Sequence, residues 1–219
     1  MTSYEAVVFD MDGVLLTMTD GSVIDRAARE AFAAFGAEPT DEAVEPFVRA
    51  DADGLARACE PFDLDPESVW PAREWAACWL QTREMAAGRK APYEEVPDAL
   101  AGIDARLGLV SNNQHHTVGH ALDRFGLHGA FETAYGRGHT VDALRRRKPD
   151  PHYLDRALSD LGTRDALYVG DSDVDVEAAA RAGVDSAFVR RGHRGDYRLD
   201  AEPDYEVADL GALVALLED

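Results

Sequence analysis

Lysine and cysteine are among the scarcest residues of this 219-residue chain: Lys90 and Lys148 are its only lysines, Cys59 and Cys78 its only cysteines. Two cysteines outside a CxxC pair cannot make a disulfide framework, and both are expected as small buried apolar residues. No apolar run approaches the length of a membrane span, and Met1-Thr2-Ser3-Tyr4-Glu5 lacks the basic-then-apolar layout of a secretory leader, so a cytoplasmic protein is expected. Basic residues are outnumbered, 22 against 42 acidic ones, for a formal net charge of −20. That balance excludes nucleic acid and anionic membranes as partners, because both need a basic face. An acidic, lysine-poor surface suits concentrated salt, where short screening lengths make self-repulsion tolerable, and a halophilic source is inferred.

The length allows one good core plus an accessory subdomain. Ala6-Val7-Val8-Phe9, Leu107-Gly108-Leu109-Val110, Ala166-Leu167-Tyr168-Val169 and Ala187-Phe188-Val189 are short apolar runs that predict buried strands. Helical i, i+3, i+4, i+7 spacing follows them at Val118–Phe125, Leu154–Leu161, Val176–Gly183 and Leu210–Leu217. Strands alternating with amphipathic helices predict an α/β fold, a doubly wound parallel sheet with helices on both faces. The stretch from about Thr17 to Pro92 carries only helical patterns, one of them ending at Gly36 and the last holding Trp70, Trp75 and Trp79. A helical subdomain over 17–92 is therefore expected, inserted into an α/β core of 1–16 and 93–219.

Ligands bind at the carboxyl ends of strands in such a sheet. There the sequence places Asp10-Met11-Asp12-Gly13, Ser111-Asn112-Asn113 and Gly170-Asp171-Ser172-Asp173-Val174-Asp175, with Lys148 just ahead of a helix. Asp10 and Asp12, two apart on an extended segment, are expected to point the same way, and two such carboxylates call for a cation. Mg²⁺ accepts one or two carboxylates plus waters and phosphate oxygens, and Asp171 adds a further carboxylate. Asp10 is then the candidate nucleophile on phosphorus, and Asp12 the acid that protonates the leaving oxygen and later activates water. Ser111 can donate to a phosphoryl oxygen, while Asn112 and Asn113 are expected to open the following helix, whose N-terminus favours anions. Lys148, extended ahead of Pro149, can offset charge on the transferring group, and Asp150-Pro151 read as the N-cap and first residue of the next helix.

These segments resemble the haloacid dehalogenase superfamily. Val8-Phe9-Asp10-Met11-Asp12-Gly13-Val14-Leu15 is similar to its first motif, Leu109-Val110-Ser111-Asn112 to the second, Lys148-Pro149-Asp150-Pro151 to the third and Gly170–Asp175 to the fourth. The resemblance implies a phosphatase working through an aspartyl-phosphate on Asp10, with Asp12 as acid/base. It implies Mg²⁺ held by Asp10, the Asp12 backbone carbonyl and Asp171, with Asp175 supporting the metal's water; Asp173 ranks below these. An aspartate at position 12 goes with phosphatases and phosphomutases, not with the dehalogenases. The helical insert resembles the cap of phosphoglycolate phosphatase-like and β-phosphoglucomutase-like members, which implies a small phosphorylated metabolite as substrate. Arg49 falls near where relatives place a substrate-contacting basic residue.

Other residues have plainer readings. His116 and His120 have metal-pair spacing without a third soft ligand. The tryptophans read as packing inside the helical subdomain. Arg145-Arg146-Arg147 reads equally as anion steering or as a solvated face. The rival functions are a phosphomutase, a receiver-type phospho-aspartate signalling module, which the helical insert argues against, and an inactive binding relative.

Overall fold

β-Branched and aromatic residues make Ala6–Phe9 a strand (β1) that is buried along its whole length, as a central parallel strand must be. The computed structural model of the chain describes residues 4–218. Met1–Ser3, part of the N-terminal segment read as lacking a secretory leader, lie outside them. After β1 come the helices α1 (Gly21–Ala34), α2 (Asp41–Arg49), α3 (Leu55–Cys59), α4 (Pro66–Ala86) and α5 (Val96–Gly102). Strand β2 (Arg106–Gln114), α6 (His115–Phe125), β3 (Thr133–Arg137), α7 (Val141–Arg145) and α8 (His152–Leu161) follow. The chain ends with β4 (Ala166–Gly170), α9 (Asp173–Ala182), β5 (Asp185–Val189), β6 (Tyr205–Val207) and α10 (Leu210–Glu218).

The six strands form one parallel sheet, ordered β3-β2-β1-β4-β5-β6, with helices on both sides. Its register positions the site. Phe9 pairs with Leu109 on one side and Val169 on the other, so the residues just past each pair come out at the same carboxyl edge. One face of β1 and β4 is sealed by α8 and α9 through Ala6, Val8, Tyr168, Leu154, Leu158 and Ala179.

The chain divides into two compact units. The α/β unit takes the chain up to Met18, Ala91–Gly136 and Arg146 onward; the helical unit takes Thr19–Lys90 together with Arg137–Arg145. The boundaries drawn from the sequence leave residues 137–145 with the core. In the structure Val141 and Leu144 of that segment sit in the helical unit's apolar cluster with Phe32, Phe47 and Trp70. A five-residue helix is too short for its periodicity to declare which core it serves.

Local chemistry explains the helix ends. Asp20 caps α1 by accepting from the Ser22 amide at 2.8 Å, Thr40 caps α2, and Asp65 with Pro66 opens α4. Of the three tryptophans only Trp70 is buried; Trp75 and Trp79 are 53% and 52% exposed. Five residues along a helix turn a side chain about 140° away, so Trp70 cannot share a face with the Trp75–Trp79 pair. Cys59 is buried, its thiol pushed up to about 11 by burial, while Cys78 is only half-buried, unlike the expectation for it. Among the described residues no helix is long and apolar enough to cross a membrane.

Candidate active site

Everything in this site belongs to the α/β unit. Asp10 follows β1 directly, 8% exposed, with its amide donating to the Val169 carbonyl at 2.8 Å. Asp10, Asp171 and Asp175 are all buried, and each can offer an oxygen so that the three atoms lie within 4.8 Å of one another. Lys148 Nζ lies 3.0 Å from Asp10 Oδ1 and donates to Asp175 Oδ1 at 2.6 Å and to the Tyr168 hydroxyl at 2.7 Å. Burial pushes the Asp10 carboxyl up from 3.8 to about 7; Lys148 opposes that rise, and Asp175, Asp171 and Asp12 add to it. For Lys148 the balance is reversed. Burial alone would lower its pKa, but Asp10 and Asp175 outweigh burial and hold it well above the usual lysine range. The lysine is charged and Asp10 is short of stabilisation.

Asp12 does not extend the strand. The chain turns after Asp10, with the Leu15 and Leu16 amides both donating to the Met11 carbonyl and the Gly13 amide to Leu16. The Asp12 carboxylate is not part of the group formed by Asp10, Asp171 and Asp175, and the metal role expected of this residue is that of its backbone carbonyl. Its Oδ2 accepts from Asn113 Nδ2 at 2.8 Å. Gly13 is required twice over: its φ is +82°, and a Cβ there would stand 2.4 Å from Asp171 Oδ2. At Gly170 a Cβ would stand 2.2 Å from that of Asp175, so this glycine lets Asp175 fold back over the strand end.

Asp175 is fully engaged. Beyond Lys148, its Oδ2 accepts from the Asp171 amide (3.1 Å), the Ser172 amide (3.0 Å) and the Ser172 hydroxyl (2.6 Å), closing the first turn of α9. Asp173 is drawn elsewhere. Against a burial penalty, the Tyr197 hydroxyl and the Asp200 and Ala201 amides hold its carboxyl below the ordinary range.

One expectation about the second motif is corrected. Asn112 and Asn113 do not open a helix: β2 runs on to Gln114, which is the N-cap of α6. The Asn112 side chain, expected on phosphate, bonds the Lys148 peptide. Its Oδ1 accepts from the Lys148 amide at 2.8 Å and its Nδ2 donates to the Lys148 carbonyl at 3.1 Å. Ser111 is 2% exposed at the edge, its Oγ accepting from the Asn113 amide at 3.2 Å. At the third motif the N-cap of α8 is Pro151, one residue later than expected, with Asp150 accepting from the His152 amide at 2.9 Å just ahead of the helix.

Arg49 belongs to the helical unit, its side chain 74% exposed and ion-paired to Glu45 at 2.9 Å beside a cavity of about 570 Å³. The sequence reading missed Asn113 as the partner of Asp12, and missed His193 and Arg194, which hold Asp171 at 2.8 and 2.9 Å. A signal existed: Arg190-Arg191-Gly192-His193-Arg194 is a basic run at the carboxyl end of β5 in a strongly acidic chain.

Residues 7–189 match the family described as haloacid dehalogenase-like hydrolase. The chain is 33% identical to an N-acetylmuramic acid 6-phosphate phosphatase of Pseudomonas aeruginosa, over 86% of this chain and 83% of that one. It is 30% identical to a phosphoglycolate phosphatase of Vibrio cholerae, over 99% of this chain and 98% of that one. Among solved structures, CbbY from Rhodobacter sphaeroides in complex with phosphate is alike in fold, with a TM-score of 0.72 at 21% identity over 99% of this chain and all of the other.

Proposed function

The chain belongs to the haloacid dehalogenase-like hydrolases, and from that premise we propose that it is a Mg²⁺-dependent phosphatase, hydrolysing small phosphate monoesters through an aspartyl-phosphate on Asp10. The observation that carries this reading is the buried Asp10 carboxylate, set between Lys148 and two further buried aspartates.

The residues present fit a hard divalent cation. Asp10, Asp171 and Asp175 are oxygen donors drawn together and buried, and Asp10 Oδ1 has no hydrogen bond of its own. In this reading Asp10 and Asp171 would hold Mg²⁺ with the Asp12 backbone carbonyl, while Asp175 supports its water. Bound there, the ion would supply positive charge that keeps Asp10 ionised and offsets the charge of the phosphoryl group.

The chain's own groups account for the rest. An Asp10 oxygen forms the new bond to phosphorus as the ester oxygen leaves, taking a proton from Asp12. Asp12 then removes a proton from the incoming water, whose oxygen displaces Asp10 and releases inorganic phosphate. Asn113 orients Asp12 for both transfers through its bond to Oδ2. Lys148, immobilised by Asn112 and Asp175, sets a fixed positive charge against the transferring group. Ser111 donates its hydroxyl to a phosphoryl oxygen. A small phosphorylated sugar or acid is the substrate class, in line with the names of the relatives, and the helical unit, Arg49 included, selects among its members. A cytoplasm rich in salt suits the charge of −20, since both lysines are buried and arginine carries the surface's fixed positive charge.

The test is phosphate release from a panel of phosphate esters in multimolar KCl, with and without Mg²⁺. Wild type is expected to release phosphate only with Mg²⁺, and Asp10→Asn to lose ~10⁴-fold or more. No release from any ester by folded protein would overturn the reading; transfer to a sugar hydroxyl in place of release would turn it to a phosphomutase.

A further inference from the structure

The loop after β5 makes a second use of Asp171. His193 Nε2 lies 2.8 Å from Asp171 Oδ2, and Arg194 Nε donates to the same oxygen at 2.9 Å. Asp171 Oδ1 has no hydrogen bond or ion pair among the described residues. Neither His193 nor Arg194 bonds to Asp10 or Asp175. A side chain standing in for a cation among the three carboxylates would touch more than one of them. These two touch one, on the oxygen that faces Gly13.

The loop is itself anchored. Arg190 donates to the Arg194 and Tyr197 carbonyls at 3.0 and 2.8 Å, the Tyr197 hydroxyl donates to Asp173 at 2.7 Å, and the Tyr197 ring stacks on Phe188. Arg191 donates to the Val14 carbonyl at 2.7 Å, tying the loop to the turn that follows Asp12. The basic run therefore has an internal job. It grips Asp171 and the first-motif turn from one rigid piece of backbone.

We propose that His193 and Arg194 are positioning residues for Asp171, clamping one carboxylate oxygen so that the other is presented to Mg²⁺ already oriented. This rests on the Mg²⁺ reading above and adds residues that lie outside all four motifs. The physical basis is general. A ligating carboxylate that must find its rotamer on binding loses affinity, and removing an outer partner of a metal ligand costs about 10–100-fold. Losing the Arg194 charge works in the opposite direction, by relieving repulsion of the cation. Multimolar salt shortens the screening length to about 3 Å at 1 M and suppresses that effect, leaving orientation as the larger one.

The experiment titrates Mg²⁺ calorimetrically into metal-free wild type, Arg194→Gln, Arg194→Lys and His193→Leu in multimolar KCl, and measures KM for a phosphate ester at saturating Mg²⁺. Expected are a Mg²⁺ Kd about tenfold higher in Arg194→Gln and in His193→Leu, partial recovery in Arg194→Lys, and an unchanged KM. Thermal melts in EDTA establish that each variant is folded, and His193→Leu carries the test if Arg194→Gln is not. Wild-type binding with an unchanged or tighter Kd in the variants overturns the positioning role alone. Wild type that binds no Mg²⁺ overturns the metal reading itself.

Discussion

The α/β unit buries one lysine among three carboxylates, whereas the helical unit buries one carboxylate, Glu74, between two arginines. Glu74 is wholly buried; Arg73 donates to its Oε1 at 2.5 Å and Arg137 forks across both oxygens. Both guanidiniums lie over the Trp70 ring, 5.0 and 5.1 Å from its centre. This cluster joins α4 to the short returning segment that starts at Arg137, and every oxygen of the carboxylate is used in doing so. Lys148, by contrast, cannot neutralise Asp10, Asp171 and Asp175 together, and burial, with the neighbouring aspartates adding to it, raises the Asp10 carboxyl to about 7 despite the lysine. A buried carboxylate whose oxygens are all taken by guanidiniums is architecture. One left short of positive charge is arranged to receive it.

Substitutions can break or sharpen this contrast. The largest effect is expected for Lys148→Met, which removes the only lysine from among three buried carboxylates. It should cost ~10³-fold or more in phosphate release and about 3–5 kcal/mol in urea unfolding. Glu74→Leu should cost a similar 3–5 kcal/mol, yet leave kcat within a few-fold below its lowered melting temperature. If Glu74→Leu loses as much kcat as Lys148→Met, the two clusters do not differ in kind.

Asp10→Asn sharpens the comparison through pH. A carboxyl whose folded pKa exceeds its unfolded one favours the folded state while protonated, and that stability is lost as pH rises from about 4 through about 7. The rise from 3.8 to about 7 amounts to about 4 kcal/mol at 1.36 kcal/mol per pKa unit. Metal-free Asp10→Asn should therefore gain on wild type in thermal stability between pH 5 and pH 8 in EDTA, and added Mg²⁺ should shrink the gap. A constant difference across that range would mean that Asp10 carries no burden. The smallest effect is expected for Asn112→Ala, which frees the Lys148 backbone: about 1–2 kcal/mol for two hydrogen bonds and roughly tenfold in kcat. An unchanged kcat would show that the partners of its ammonium hold the lysine without Asn112.

Much of the fold was legible because buried parallel strands are continuous apolar runs and their helices are amphipathic. The strands β1, β2, β4 and β5 and the longer helices declare themselves in this way. The strands β3 and β6 do not. They are the two outermost strands, where Thr133 and Glu206 serve as well as valine would, so the hydrophobic signal fades. The helix α7 is five residues long, and only packing assigned it to the helical unit. In the site, Asp10 and Asp171 were read from their places at strand ends, and the structure sets Lys148 and Asp175 beside them. The bond of the Asn112 amide to the Lys148 peptide was not legible, because nothing in a string of residues says whether an amide turns toward a ligand or toward a neighbouring peptide.

By itself the sequence determined the class of fold, the kind of chemistry and the charged groups available for it, because strand ends in a parallel sheet must meet along one edge and four motifs in order place their residues there. Only the tertiary structure decided how those groups share their oxygens. The turn at Gly13 takes the Asp12 carboxylate out of the group, Asn112 is spent on the Lys148 backbone, and His193 and Arg194 come in from a loop with no motif of its own. Hydrogen bonds between distant segments last only where backbone register brings donor and acceptor within about 3 Å, and register is a property of the packed sheet, not of any one strand.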